Sequence, residues 1–260
     1  MSKLTFIPSN RFRELVESES KKASEKGKKF IKNPEGFARH LINTGRNGEL
    51  TARRIYRKQE SLGNQLEPRV LRVAGLTYDI GKIGVGDSYH EIPGAYSIIK
   101  EGERWSLIAG ASKADRQRIL RRIASCLPGD WALLEELGNN FPESALYLSF
   151  ITPELEEQVE FLRRELSPTR APLTIKELTA LNTLEKQIAL YADMVDNVAS
   201  TKEGRMSVTA RLQDIKVRYR QYADEAETPE SREYYMNQVR LAREIAPRII
   251  GVCDKVEELL

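Results

Sequence analysis

Side chains that can carry charge or move protons follow one apolar segment of the sequence. The run Val70 to Leu76 leads into Asp79, and Lys82 and His90 come shortly after it. A carboxylate buried without a partner costs several kcal/mol or takes up a proton, so Asp79 needs either a neighbouring cation or backbone amides to cap. The spacing could aim the Lys82 ammonium at a phosphate. His90, whose charge changes near neutral pH, could protonate a leaving oxygen or hold a phosphate oxygen.

Two more residues of metal-ligating type lie far from this stretch. His40 falls in the helical pattern Phe37–Ile42, and Asp193 lies mid-helix beside an apolar stripe, where aspartate is disfavoured unless it has a partner. With Asp79 they offer one imidazole and two carboxylates. This mixed set suits Mn, Fe, Ni, Co or Zn, whereas carboxylates and water alone suit Mg or Mn. For His40 alone, the alternative is a packed histidine that makes one hydrogen bond.

The segments that carry these residues resemble the HD-domain metal-dependent phosphohydrolases. That family has a lone histidine, a His-Asp doublet with an Ile-Gly-Lys-like run after it, and a further aspartate; many members also have a histidine before a Gly-Ala pair. The positions that match in this chain, over roughly residues 34–200, are His40, Tyr78-Asp79 with Ile80-Gly81-Lys82, Asp193, and His90 before Gly94-Ala95.

The resemblance implies an HD-like all-α helical bundle with one divalent ion, of a kind that the sequence does not distinguish among Mn, Fe, Mg, Ni, Co and Zn. His40, Asp79 and Asp193 would be its ligands. A metal-activated water would attack phosphorus, with Asp79, Lys82 and His90 as catalytic residues. The substrate would be a phosphorylated small molecule, and the His90 and Gly94-Ala95 match favours a nucleotide.

Tyr78 departs from the family, because it stands where the doublet has its histidine. A phenol ionises near pH ~10 and seldom ligates Mg or Mn at neutral pH. Either a water takes that ligand position and the ion binds weakly, or Tyr78 plugs the site and hydrogen-bonds Asp79.

Three readings of function follow. The first is a phosphohydrolase acting on a nucleotide or another phosphoester. The second is a catalytically degenerate HD-fold module that binds a nucleotide or a protein partner. The third is a structural helical protein in which His40, Asp79, His90 and Asp193 do not converge.

Capping residues, prolines and glycines predict helices along the whole chain and no strand. Glycines 81, 84 and 86 predict a loop over Ile80–Tyr89 in which the backbone can approach a ligand. The predicted helices are Ser9 or Asn10 to about Phe30, Pro34 to Gly45, Gly48 to Leu62, Pro68 to about Asp79, about Pro93 to Lys100, Lys113 to Leu127, Asp130 to Gly138, one from Pro153, Ile175 to about Ser200 with a break near Asn182, Ser207 to Ala226, and Pro229 almost to the end with a kink at Pro247.

The same punctuation predicts three parts. Residues 1–33 form a polar helix, and residues 34–203 form the HD-like domain with an insertion at about 105–172 that is too long for a simple connection. Residues 204–260 form a C-terminal αα-hairpin, which could hold a protein partner.

Composition limits the remaining possibilities. The 260 residues are 40% hydrophobic and 30% charged, which suits a helical protein with solvated faces, and the net charge of +3 does not indicate nucleic acid. Cys126 and Cys253 are too far apart for a zinc motif or a disulfide framework. Without an apolar run of signal or membrane length, we expect a cytoplasmic protein with no membrane contact.

Overall fold

The computed structural model describes residues 4–28, 31–63, 66–85, 90–110, 112–127, 153–169, 171–181, 183–199 and 208–260. Within these ranges the chain is mostly helical and contains one two-stranded sheet, so the predicted all-α class is confirmed. In the same ranges, no helix combines the length and the apolar character needed to cross a membrane. The predicted helix from Asp130 to Gly138 and the break at Gly204 lie outside the described residues.

The helices are numbered here in chain order. Their bounds are α1 Ser9–Glu25, α2 Pro34–Lys58, α3 Glu60–Gly63, α4 Pro68–Thr77, α5 Lys82–Val85, α6 Glu91–Glu101, α7 Lys113–Ala124, α8 Pro153–Glu165, α9 Ile175–Ala180, α10 Thr183–Ala199, α11 Val208–Asp224 and α12 Pro229–Leu259. The short α5 is irregular, because Ile83 and Gly84 lie outside helical backbone angles.

A short sheet corrects the prediction that the chain has no strand. β1 (Thr5–Phe6) pairs antiparallel with β2 (Ile108–Ala109). Two-residue strands are too short to show the alternation by which a strand is recognised from sequence.

The second helix corrects another prediction, since Gly45 does not end it. Instead α2 continues to Lys58, and Gly45 lies where α2 crosses α4. A Cβ added at Gly45 would lie 2.6 Å from the Arg72 carbonyl oxygen, and one added at Gly75 would lie 2.7 Å from Gly45 Cα. The two glycines therefore let the backbones of α2 and α4 touch, and this crossing holds the start of α2 near the end of α4.

Most of the described helices share one core. It joins side chains of α1, α2, α4 and α6 with others from α7 and α8, both of which lie within the predicted insertion. Fully or nearly fully buried members are Phe12, Leu41, Val73, Leu76, Ile98, Leu120, Ile123 and Leu162.

The C-terminal helices pair with each other and also pack on this body. Val256 of α12 is completely buried in a second apolar cluster with Ile55, Leu71 and Ile188. At the other end of the hairpin the rings of Tyr219, Tyr222 and Tyr235 lie 5.6–6.4 Å apart. The helix α12 continues through Pro247 without interruption.

Several predicted helix starts are confirmed by side-chain caps. Asn33, Ser112 and Thr228 each accept a hydrogen bond from a backbone amide of the first turn, and Thr174 forms a capping box with Glu177. The first helix is different: α1 begins at Ser9 after Pro8, with no side-chain cap, and it ends at Glu25 rather than near Phe30.

Candidate metal centre

Three helices supply the side chains of the candidate centre. His40 lies in the second turn of α2, and its side chain is 20% exposed. Asp79 follows the end of α4, and Asp193 lies within α10; both are buried. The α4 helix ends at Thr77, whose hydroxyl donates to the Val73 carbonyl.

These three side chains converge. His40 Nε2 lies 3.0 Å from Asp193 Oδ1 and 3.5 Å from Asp79 Oδ2, and one ligand atom from each residue lies within 4.8 Å of the other two. Adjacent ligands at ~2.1 Å from a common ion are ~3.0 Å apart when they subtend a right angle, so the two His40 separations fit a single ion. Asp193 Oδ1 is buried and faces His40 Nε2, so the two atoms are placed to share an ion.

Asp79 also contacts two further cations. Its Oδ2 accepts a hydrogen bond of 2.7 Å from Lys82 Nζ, and its Oδ1 lies 2.7 Å from His90 Nε2. Successive i+3 amide bonds wind the chain tightly from Tyr78 to Ile83, and a three-residue period superposes Lys82 on Asp79. Of the predicted catalytic residues, Lys82 and His90 thus both contact the third, Asp79, which also belongs to the candidate metal-binding triad.

Gly81 explains how His90 reaches this position. A Cβ at Gly81 would lie 1.8 Å from the His90 carbonyl oxygen and 2.7 Å from Gly94 N. The glycine therefore permits close packing of the turn on the start of α6, which corrects the expectation that it opens the backbone to a ligand. Gly84, at φ 113°, adopts a left-handed conformation that favours glycine.

Neighbouring carboxylates raise the pKa of both histidines of the centre. Burial alone would lower the pKa of His40, but contacts with the carboxylates of Asp193, Asp196 and Asp79 raise it to about 11. Burial would likewise lower the pKa of His90, but the charges of Glu91 and Asp79 raise it to about 9. Without a metal ion, both imidazoles are therefore cationic at neutral pH.

The two carboxyl groups respond in opposite directions. Burial would raise the pKa of Asp79, yet the charges of Lys82 and His90 hold it well below its usual value. Burial raises the pKa of Asp193, and the nearby charge of Asp79 raises it further. A divalent cation would favour the ionised form of both carboxylates.

Two residues of α10 that contact the candidate ligands were not predicted from the sequence. Asp196 Oδ2 lies 2.7 Å from His40 Nδ1, and Asn197 Nδ2 donates to Asp193 Oδ2 over 2.9 Å. Their signal in the sequence is spacing, because positions three and four residues after Asp193 lie on the same helix face.

Tyr78, at the position where the HD family has histidine, is buried directly beside Asp79 with an exposure of 6%. It lies in the turn that ends α4, and its backbone amide donates to the Gly75 carbonyl.

Comparison with known proteins gave no match: no family model, no curated protein and no solved structure is significantly similar to this chain.

Proposed function

We propose that this chain is an HD-type metal-dependent phosphohydrolase that acts on a nucleotide or another phosphoester. The observation that carries the proposal is the convergence of His40, Asp79 and Asp193 from three helices that are distant in sequence. Mixed imidazole and carboxylate ligands suit a divalent transition metal. The arrangement also matches the order of ligands in the HD-type resemblance, except at Tyr78.

The surrounding side chains supply the other parts of a hydrolytic site. A divalent ion held by His40, Asp79 and Asp193 would polarise a phosphoryl oxygen and lower the pKa of a coordinated water. Asp79 is held ionised by Lys82 and His90, so it can accept a hydrogen bond from an attacking water. Lys82 can turn from Asp79 to a phosphate oxygen, and His90, cationic at neutral pH, can donate a proton to the leaving oxygen.

A binding module without hydrolysis is the second candidate, and one observation favours it. Both carboxylate oxygens of Asp79 already contact cations, Lys82 on one side and His90 on the other. A carboxylate neutralised in this way attracts a metal ion less strongly. The cluster would then be an ion-pair network that holds α2, α4, α6 and α10 together around a nucleotide or partner site.

Metal content and phosphate release test the first candidate. The purified protein would be stripped with a chelator, reloaded with Mn²⁺ or Zn²⁺, and analysed by plasma mass spectrometry and with a panel of nucleotides and p-nitrophenyl phosphate. We expect about one ion per chain, which Asp79→Ala and Asp193→Ala each remove while helical circular dichroism persists. Asp224→Ala, at an exposed position, is the matched control. Unchanged metal content in both site variants would contradict the proposal.

Substituting Tyr78 separates the two candidates. Tyr78→His would complete a His-Asp doublet, and an added protein ligand that replaces a water should tighten metal binding. In a weakened enzyme the variant gains phosphate release, and we expect only a modest gain because a site that has lost a ligand has also lost substrate contacts. If Tyr78 instead serves a working site, metal affinity stays similar and activity falls. Absence of metal and activity from both proteins would favour the binding module.

A further inference from the structure

A buried carboxylate lies behind the candidate metal centre rather than in it. Asp196 is only 6% exposed, and its Oδ2 lies 2.7 Å from His40 Nδ1. It is three residues beyond Asp193 in α10, so the two acids occupy one face of the helix and contact opposite nitrogens of the same imidazole.

The two ring nitrogens of His40 therefore have different functions. An ionised carboxylate only accepts hydrogen bonds, so the short contact makes His40 Nδ1 the donor. A neutral imidazole that carries its proton on Nδ1 keeps a lone pair on Nε2. That nitrogen is the one that faces Asp193 Oδ1 and Asp79 Oδ2.

A buried acid inside a helix needs a partner. Aspartate has low helix propensity, and burying its charge is costly unless it is paired. Asn197, on the next residue, supports the neighbouring ligand in the same manner, because its amide donates to Asp193 Oδ2 and leaves Oδ1 toward His40. One turn of α10 thus presents one proposed ligand and fixes the orientation of another.

We propose that Asp196 is a positioning residue of the metal centre. Its carboxylate accepts the Nδ1 proton of His40, selects that tautomer and keeps Nε2 directed at the metal position. The inference rests on the proposed function insofar as it requires the centre to bind a metal ion.

The test measures Zn²⁺ affinity by calorimetry with a competing chelator. Zn²⁺ is a suitable probe because an imidazole and carboxylate site binds it more tightly than Mn²⁺ or Fe²⁺. Removing such an outer carboxylate typically lowers metal affinity about 10–100-fold, which is the loss expected for Asp196→Ala. Asp196→Asn keeps an acceptor and loses the charge, so its loss should be smaller. Asp224→Asn makes the same acid-to-amide change at an exposed position of α11 and should bind as the natural chain does.

A second readout separates positioning from simple packing. The chain has only two histidines, so ¹⁵N-histidine labelling gives two imidazole spin systems that single His40 and His90 variants assign. In the Zn²⁺-loaded natural protein, His40 should keep a slowly exchanging Nδ1 proton and show the metal-induced shift at Nε2. In Zn²⁺-loaded Asp196→Ala that proton should exchange faster with solvent.

The Zn²⁺ affinity and the Nδ1 proton exchange together decide whether Asp196 positions His40. Loss of affinity with faster exchange of the Nδ1 proton in Asp196→Ala, or in Asp196→Asn if the alanine variant does not fold, supports the positioning role. Zn²⁺ affinity within about threefold of the natural chain in a folded variant, a difference below ~0.7 kcal/mol, overturns it. Failure of the natural protein to bind Zn²⁺ at His40 overturns both the inference and the metal-dependent function, and is distinct from the previous result.

Discussion

Two glycines in helix interiors should respond in opposite ways to the same substitution. A Cβ added at Gly75 would lie 2.7 Å from Gly45 Cα and N and 2.8 Å from the Thr44 carbonyl carbon, all backbone atoms of α2. A Cβ added at Gly251, inside α12, would meet nothing within 4 Å. The two sites therefore form a matched pair in which only the close approach of α2 and α4 differs.

The magnitudes follow from opposing contributions. Alanine is about 1 kcal/mol better than glycine in a helix interior, so Gly251→Ala should raise the free energy of unfolding by ~0.5–1 kcal/mol. At Gly75 the obstacle is backbone, which cannot rotate away, so overpacking should cost about 3 kcal/mol, the upper end of its usual range. The net loss is ~2 kcal/mol, or a fall of about 4–8 °C in Tm for a chain of this size.

The same contact should couple stability to the metal centre. His40 is carried by α2 and Asp79 follows α4, so helices forced apart at Gly75 will misplace one ligand relative to the other. Denaturant unfolding followed by circular dichroism gives the stabilities, and Zn²⁺ calorimetry gives the affinities. We expect Gly75→Ala to lower both the stability and the Zn²⁺ affinity, and Gly251→Ala to lower neither. Shifts of equal sign and size in the two variants would refute the argument from close packing.

Three further predictions concern charge. Because the carboxylates around His40 overcome its burial and raise its pKa to about 11, Zn²⁺ must displace a proton, so affinity should rise about tenfold per pH unit from about pH 6 to 8. Calorimetry in two buffers measures that proton, and its absence would contradict the ligand assignment. Lys82→Met should raise Zn²⁺ affinity on the order of tenfold, because it removes a cation 2.7 Å from Asp79 Oδ2; unchanged affinity would mean that Lys82 does not compete. Burial lowers the pKa of Lys186 to about 8, so above pH 8 the folded chain sheds a proton that the unfolded chain keeps until about pH 10.5. Between those pH values, the free energy of unfolding of the natural chain should therefore rise by up to ~3 kcal/mol relative to that of Lys186→Met, as measured by denaturant unfolding at each pH. A difference between the two chains that does not vary with pH would be inconsistent with a buried ammonium.

Local signals in the sequence predicted helix starts well. The capping box of Thr174 and Glu177 and the Thr-Pro start at Thr228 depend on contacts within one turn, so the residues that make them are adjacent in sequence. The all-α class follows from many such signals. The grouping of His40, Asp79 and Asp193 was also predictable, although only through resemblance to a family pattern, since no local rule joins residues on three separate helices.

Features that depend on tertiary neighbours were not predictable. Glycine often ends a helix, but Gly45 lies inside α2 at the point where that helix crosses α4. Only the position of Gly75 in the folded chain distinguishes a helix end from a helix crossing. In the sequence nothing distinguishes Asp196 from a solvated acid, because its partner His40 lies on a different helix. The pairing of β1 with β2 joins strands that are a hundred residues apart and two residues long, which leaves no periodic pattern to detect.

Anomalous diffraction from crystals grown with Zn²⁺ tests the central claim, that His40, Asp79 and Asp193 hold one divalent ion, most directly. We expect a single strong peak at ~2.0–2.2 Å from His40 Nε2 and from one oxygen of each aspartate. In that complex Asp196 should still accept from His40 Nδ1. A map with no peak at this position, and with Lys82 and His90 both still on Asp79, would contradict the claim and leave the cluster as an ion-pair network.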